Sequence, residues 1–144
     1  MSARLCVSIW FGALLCVFCG IAAAQDKLTV ANLQNPQKLN ADEVRALVTG
    51  AGVTSVSAAG SVRRWDNDAS GKFVASSRAV GARVPGQGQG SWHVSPEGQY
   101  CVTIEWRGSS ENWCRFILKS GEKYYGASTD RNPSAAAYEM EFRK

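Results

Sequence analysis

Two different spacings of apolar residues divide the chain. In the stretch Leu39-Asn40-Ala41-Asp42-Glu43-Val44-Arg45-Ala46-Leu47-Val48 the apolar positions fall on one helical stripe, with Val44, Leu47 and Val48 together. Asn40 with Glu43 three residues on forms a capping-box pattern, Leu39 and Val44 are placed as a hydrophobic staple, and Gly50 and Gly52 end the run. One short helix is expected, packed on a sheet. From Val53 onward the helical interval disappears. Short runs rich in Val, Trp, Phe, Tyr and Thr alternate there with turn residues, the pattern of antiparallel strands. The runs predict strands at 53–58, 61–66, 72–80, 91–95, 99–106, 113–119, 122–127 and 136–142. Turns are expected at Asp66-Asn67-Asp68-Ala69-Ser70-Gly71, Ser95-Pro96-Glu97-Gly98, Arg107-Gly108-Ser109-Ser110 and Ser120-Gly121-Glu122.

The expected fold is therefore mainly β (α+β): a short helix, then an antiparallel curled sheet or small β-barrel of about eight strands. Gly81 to Gly90, with Pro85 and a Gln-Gly alternation, reads as the one long loop, placed over a barrel mouth. Pairing Cys101 with Cys114 sets Trp106 opposite Ser109 and leaves Arg107-Gly108 as a tight turn. Thr103, Phe116 and Leu118 then share the cysteine face, while Tyr100, Val102, Ile104, Trp106, Trp113 and Ile117 share the other. Both faces are apolar, so one lines an interior and the other needs a cover, for which the helix at 41–48 is the obvious element. In the last strand Tyr138, Met140 and Phe142 alternate with Glu139, Glu141 and Arg143, as in a half-exposed strand.

The N-terminal segment has a different character. Arg4 is the only charge before Asp26, Leu5 to Ile21 is almost wholly apolar, and Ala22-Ala23-Ala24 supplies small residues for a peptidase. This is the composition of a cleavable secretory signal over residues 1–24. The competing reading, an uncleaved anchor, has an apolar run of only about 17 residues, at the lower limit for spanning a bilayer. Lipidation is disfavoured, because Phe18 precedes Cys19 and Leu15 precedes Cys16. Residues 25–38 read as an irregular arm, and 39–144 as a single domain with no membrane span after cleavage. Loss of Arg4 with the leader lowers the formal charge by one from +4.

Of the five cysteines, Cys6, Cys16 and Cys19 leave with the leader, so Cys101 and Cys114 are expected to form one disulfide in an oxidising compartment, periplasmic or secreted. Closing that short loop is worth ~3 kcal/mol in the chain-entropy picture, a large share of a small domain's stability.

No constellation reaches a named chemistry. His93 is the only histidine, there is no Gly-x-Ser-x-Gly elbow, and one histidine with two oxidised cysteines cannot close a zinc shell. Asp66-x-Asp68-x-Ser70-Gly71 imitates the opening of a calcium loop, but Ser77 stands where the bidentate glutamate belongs. Gly86-Gln87-Gly88-Gln89-Gly90 precedes a strand and lacks a following Lys-Ser pair, so it reads as a flexible loop and not as a phosphate cradle. Glu97, Glu105 and Glu111 are acids in the aromatic-rich half, with no spacing rule that selects a glycosidase pair. Neither catalytic residues, a metal site nor a cofactor is expected. Arg63, Arg64, Lys72, Arg78 and Arg83 crowd one third of the chain and would form an anion-binding stripe if the strands aligned them. The candidate partners are an envelope component such as an acidic polymer, or a small apolar ligand. Nucleic acid is not expected for an exported protein.

The elements Leu39-x3-Glu43-x3-Leu47-x2-Gly50, Gly90-x-Trp92, Gly98-x2-Cys101 through Trp106, Trp113-Cys114 and Gly121-x2-Tyr124-Tyr125-Gly126 resemble a family of small secreted proteobacterial proteins whose shared domain has no assigned function. The resemblance covers about residues 39–126. It implies an exported helix-plus-sheet domain with a disulfide, and it carries over no activity or binding residues. The Gly-x-Trp element is also similar to one in lipocalin-like barrels. The resulting expectation is a non-enzymatic binding or envelope-associated module, with Tyr100, Trp92, Trp106 and Trp113 in the core or on a ligand-cavity wall. The alternatives are a lipocalin-like carrier of a small apolar ligand, and an envelope-polymer binder or enzyme inhibitor acting through the basic residues.

Overall fold

The computed structural model describes residues 27–57 and 60–144. The expected signal segment, with Cys6, Cys16 and Cys19, lies outside them. The helix forms as its capping box dictates: α1 spans Ala41–Val48, Asn40 Oδ1 accepts the N–H groups of Asp42 and Glu43 at 3.0 Å each, and Glu43 accepts the Asn40 N–H at 2.8 Å.

The strands are β1 (Gln37–Lys38), β2 (Gly52–Val56), β3 (Val62–Asp66), β4 (Lys72–Arg78), β5 (Gly86–Val94), β6 (Gln99–Trp106), β7 (Ser109–Ser120), β8 (Lys123–Ala127) and β9 (Ala137–Arg143). From β2 to β9 each strand pairs antiparallel with the next in sequence, and β9 returns to β2 through Gly52↔Arg143 to Ser55↔Met140. The sheet is thus a closed antiparallel eight-stranded barrel, with β1 as one extra strand. Closure removes the exposed sheet edges that an open meander of this length would carry. The central hairpin has the expected register. Cys101 lies opposite Cys114 and Trp106 opposite Ser109, and a disulfide joins the two cysteines.

Three elements depart from the sequence reading. Residues 25–38 were expected as an irregular arm, yet 27–38 carry a 3-10 turn at Val30–Asn32 and the strand β1. β1 pairs with Leu118 and Lys119 of β7 and so continues the edge that β6 leaves at Phe116. Val30 and Leu33 pack on the outer surface against Leu118, Tyr125, Ala127 and Ala137. The arm therefore covers the Leu118 end of the cysteine face, in the role expected of the helix, while Cys114 stays exposed. The helix instead closes one end of the barrel: Val44 and Val48 are fully buried with Val53, Trp65 and Tyr100, which point inward. Finally, Gly81–Gly90 is not one long loop. β5 begins at Gly86, and the Gln-Gly alternation is a period-two strand whose glycines face inward and whose glutamines are exposed.

The inward glycines make room for rings. A Cβ on Gly90 would overlap the Phe73 ring, and one on Gly88 would stand 2.7 Å from Trp106. Small residues beside large ones are how a narrow barrel fills its interior.

Candidate functional site

The half of the interior nearest α1 is solid with aromatic side chains. Trp65 stacks on Phe73 at 5.4 Å between ring centroids, Tyr100 meets Trp113 edge-on at 5.8 Å and Phe142 at 6.2 Å, and Tyr124 meets Phe142 at 5.7 Å. Trp92, also inward, donates its indole N–H to the Asp68 carbonyl at 2.9 Å. Tyr100 and Trp92 therefore belong to the plugged end.

The opposite end, where β4 and β6 finish and β5 and β7 begin, is a depression of about 770 Å³. Its wall includes Arg63, Ser77, Gly86, Trp106 and Glu111, with Ala82, Val84 and Pro85 from the 79–85 loop on the rim. Large apolar side chains normally avoid water, but Val84 is 77 % exposed and Val80 is 83 % exposed on this loop. Trp106 faces this mouth. Its indole N–H donates to Glu111 at 2.7 Å, and Arg63 Nη2 pairs with the same carboxylate oxygen at 2.7 Å.

Deeper on the inner face, Arg115 follows Glu111 and Trp113 along β7. Its guanidinium carbon lies 4.3 Å from the Trp113 ring centroid and 4.1 Å from that of Tyr138, a cation–π arrangement. Its aliphatic stem crosses Gly126, where a Cβ would stand 2.8 Å from it. Burial lowers the guanidinium pKa. Tyr138 and Glu111 act in the raising direction, and the positive charge of Arg63 adds to the lowering.

The five basic residues singled out from the sequence do not make one stripe. Arg63 points inward while its neighbour Arg64 is exposed on the outside. Lys72 begins β4 and Arg78 ends it, about 20 Å apart along extended chain. Arg78 and Arg83 stand at the mouth end, and Lys72 at the plugged end. Sequence reasoning missed Arg107, which lines the mouth, and it missed Arg115. It weighed Glu111 only as one of three loose acids. Alternation contained the signal, since Glu111 and Arg115 share the parity of Trp113 and Ile117 on β7.

Elsewhere the candidate groups stay apart. His93 is exposed on the outer face opposite Cys101, Glu105 is exposed, and Glu97 is in the turn before β6. Asp68 Oδ1 accepts the Ser70 N–H at 2.7 Å, and the Ser70 hydrogen bonds lower the Asp68 carboxyl pKa, so this segment is a polar turn. Among the described residues no three His, Cys, Asp or Glu side chains gather to hold a metal ion. No helix there is long and apolar enough to cross a membrane.

A family model described as protein of unknown function, DUF995, matches residues 13–115, most of the chain, and the chain belongs to that family. No curated protein and no solved structure matches it.

Proposed function

We propose that this member of the family is an exported, non-enzymatic binding module, periplasmic or secreted, whose small-molecule ligand enters the open end of the barrel. The observation that carries this reading is the asymmetry of the interior. One end is closed by α1 and packed with rings, whereas the other is a depression of about 770 Å³ with partly buried charges and an indole in its wall. Concave sites with an apolar wall and few convergent polar groups are what small-ligand binding needs. A carrier that held an apolar ligand in the barrel centre is disfavoured, because Trp65, Phe73, Tyr100 and Trp113 occupy that space. An envelope polymer held on a basic stripe is disfavoured by the separation of Arg64 and Lys72 from the other arginines. Export is supported by the leader-like composition of residues 1–24 together with the Cys101–Cys114 disulfide.

Native mass spectrometry of the protein purified from its own envelope tests the reading. A chain shortened after Ala24 and carrying one non-covalent small molecule is expected. Amide NMR shifts on adding back that molecule should concentrate at Gly86, Gln87, Trp106 and Ser109. Full-length chain, or shifts clustered away from this end, would overturn it.

A further inference from the structure

The charges on the inner face do not balance: Arg63 and Glu111 line the mouth, and Arg115 lies deeper, against the Trp113 and Tyr138 rings. Arg63 and Arg115 both project from the inner face of the barrel, and Glu111 is the one carboxylate on that face among the described strand residues. A single oxygen of Glu111 serves both Arg63 Nη2 and the Trp106 indole. Arg63 Nε is buried with no hydrogen-bond partner. Arg115 belongs to none of the ion pairs formed among the described residues, although it is close enough to Arg63 and Glu111 to feel both charges. Burial disfavours its charged form, so it is a cation held in a partly desolvated place without a counter-ion. Buried donors left without acceptors are unfavourable, and a bound group that supplies acceptors removes that penalty.

The geometry points to an organic monocarboxylate with an apolar body as the ligand of the mouth, its carboxylate received by Arg63 and Arg115 and its body lying against Trp106 and the 79–85 loop. One negative charge neutralises the excess of two guanidinium groups over one carboxylate. A planar carboxylate matches the in-plane fork of N–H donors that a guanidinium presents. The rim supplies Ala82, Val84 and Pro85, and Val84 is more exposed than a large apolar side chain usually is.

This inference rests on the mouth being the binding site, and calorimetry of the disulfide-bonded domain with octanoate, octan-1-ol and inorganic phosphate separates the two readings. Octanoate is expected to bind at least ten-fold tighter than octan-1-ol, and phosphate more weakly than octanoate. Arg63→Gln and Arg115→Met should each abolish the preference for octanoate over the alcohol. Arg115→Lys keeps the charge without the fork and should recover only part of it, and it still tests the site if either of the other variants fails to fold. Equal binding of octanoate and octan-1-ol overturns the carboxylate and leaves the mouth reading standing. Phosphate binding as tightly as octanoate overturns the apolar body. Binding of neither organic probe, or a preference that survives every substitution, overturns both readings.

Discussion

At the plugged end, Trp65, Asn67 and Tyr100 share one buried hydrogen-bond network. The Trp65 indole donates to Asn67 Oδ1 and to the Tyr100 hydroxyl, each at 3.1 Å, the hydroxyl donates to Asn67 Oδ1 at 2.9 Å, and Asn67 Nδ2 donates to the Val48 carbonyl at 2.8 Å. The amide thereby ties the last turn of α1 to the barrel. Asn67 sits within Asp66-Asn67-Asp68, which reads as an exposed turn, yet it is only 2 % exposed. Nothing in a run of three polar residues tells which one the end of α1 will cover, so this residue was not legible, whereas Tyr100 was legible as core. Tyr100→Phe removes one donor and one acceptor but leaves Trp65 bound to Asn67, and a loss of about 1 kcal/mol in urea unfolding is expected. The same residue sets an alkaline limit. Burial raises the Tyr100 pKa, with its hydrogen bonds to the Trp65 indole and the Asn67 side chain opposing. Its folded-state pKa therefore lies above the unfolded value, and its contribution is complete below pH 10 and declines as pH rises from there. Between pH 10 and 11.5 the native protein should lose stability more steeply than Tyr100→Phe, by up to about 1.4 kcal/mol per pH unit. Parallel slopes in the two proteins would contradict this.

Among the elements, the hairpin β6–β7 and the strand β5 show what pattern can and cannot reveal. Two cysteines, a Gly-containing turn and alternating apolar residues specify the hairpin from local features alone, and its register is the one those features dictate. β5 contains the same period of two, but its inward positions Gly86, Gly88 and Gly90 are occupied by the residue that normally marks a break. Gly88 and Gly90 make room for the Trp106 and Phe73 rings of neighbouring strands, which no local window contains. Gly90→Ala should therefore destabilise the protein by about 1–3 kcal/mol, since Phe73 and the Thr103 carbonyl stand where the methyl group must go. A thermal melt reads this, and Gln89→Ala on the exposed side of the same strand should be nearly silent. The disulfide closes a loop with a sequence separation of 13. Replacing Cys101 and Cys114 together with alanine is expected to lower unfolding free energy by about 3 kcal/mol while leaving the far-ultraviolet spectrum intact, because the hairpin register has other determinants.

On the scale of the whole molecule, the barrel needs both a plug and a cover, and these come from segments whose placement depends on closure. The helix was legible, but its position across an end was not, because an open sheet would have offered it a face. Once β9 pairs with β2, the inner face is enclosed and only the ends remain. Lys144 reinforces that position: its Nζ donates to the carbonyls of Ala46 and Thr49 at 2.8 and 2.6 Å, where the helix leaves acceptors unmet. The outer apolar face, with Leu118 and Tyr125, then falls to the arm. The arm is fastened by the Ala135 carbonyl accepting the Val30 N–H at 2.9 Å, by β1, and by the Lys38–Asp130 ion pair at 2.8 Å, in which the Lys38 hydrogen bond lowers the Asp130 carboxyl pKa. Deleting residues 25–36 leaves the barrel and α1 complete but bares that face. A loss of about 2–4 kcal/mol is expected from exposing Val30's contacts and part of those of Leu33. The shortened protein should also bind an apolar dye that the intact one ignores, at a site separate from the mouth. Octanoate affinity should survive the deletion, since no residue of the arm lines the open end. If it falls together with stability, the arm shapes the mouth through β7, and the division of the barrel into an outer cover and an inner site does not hold.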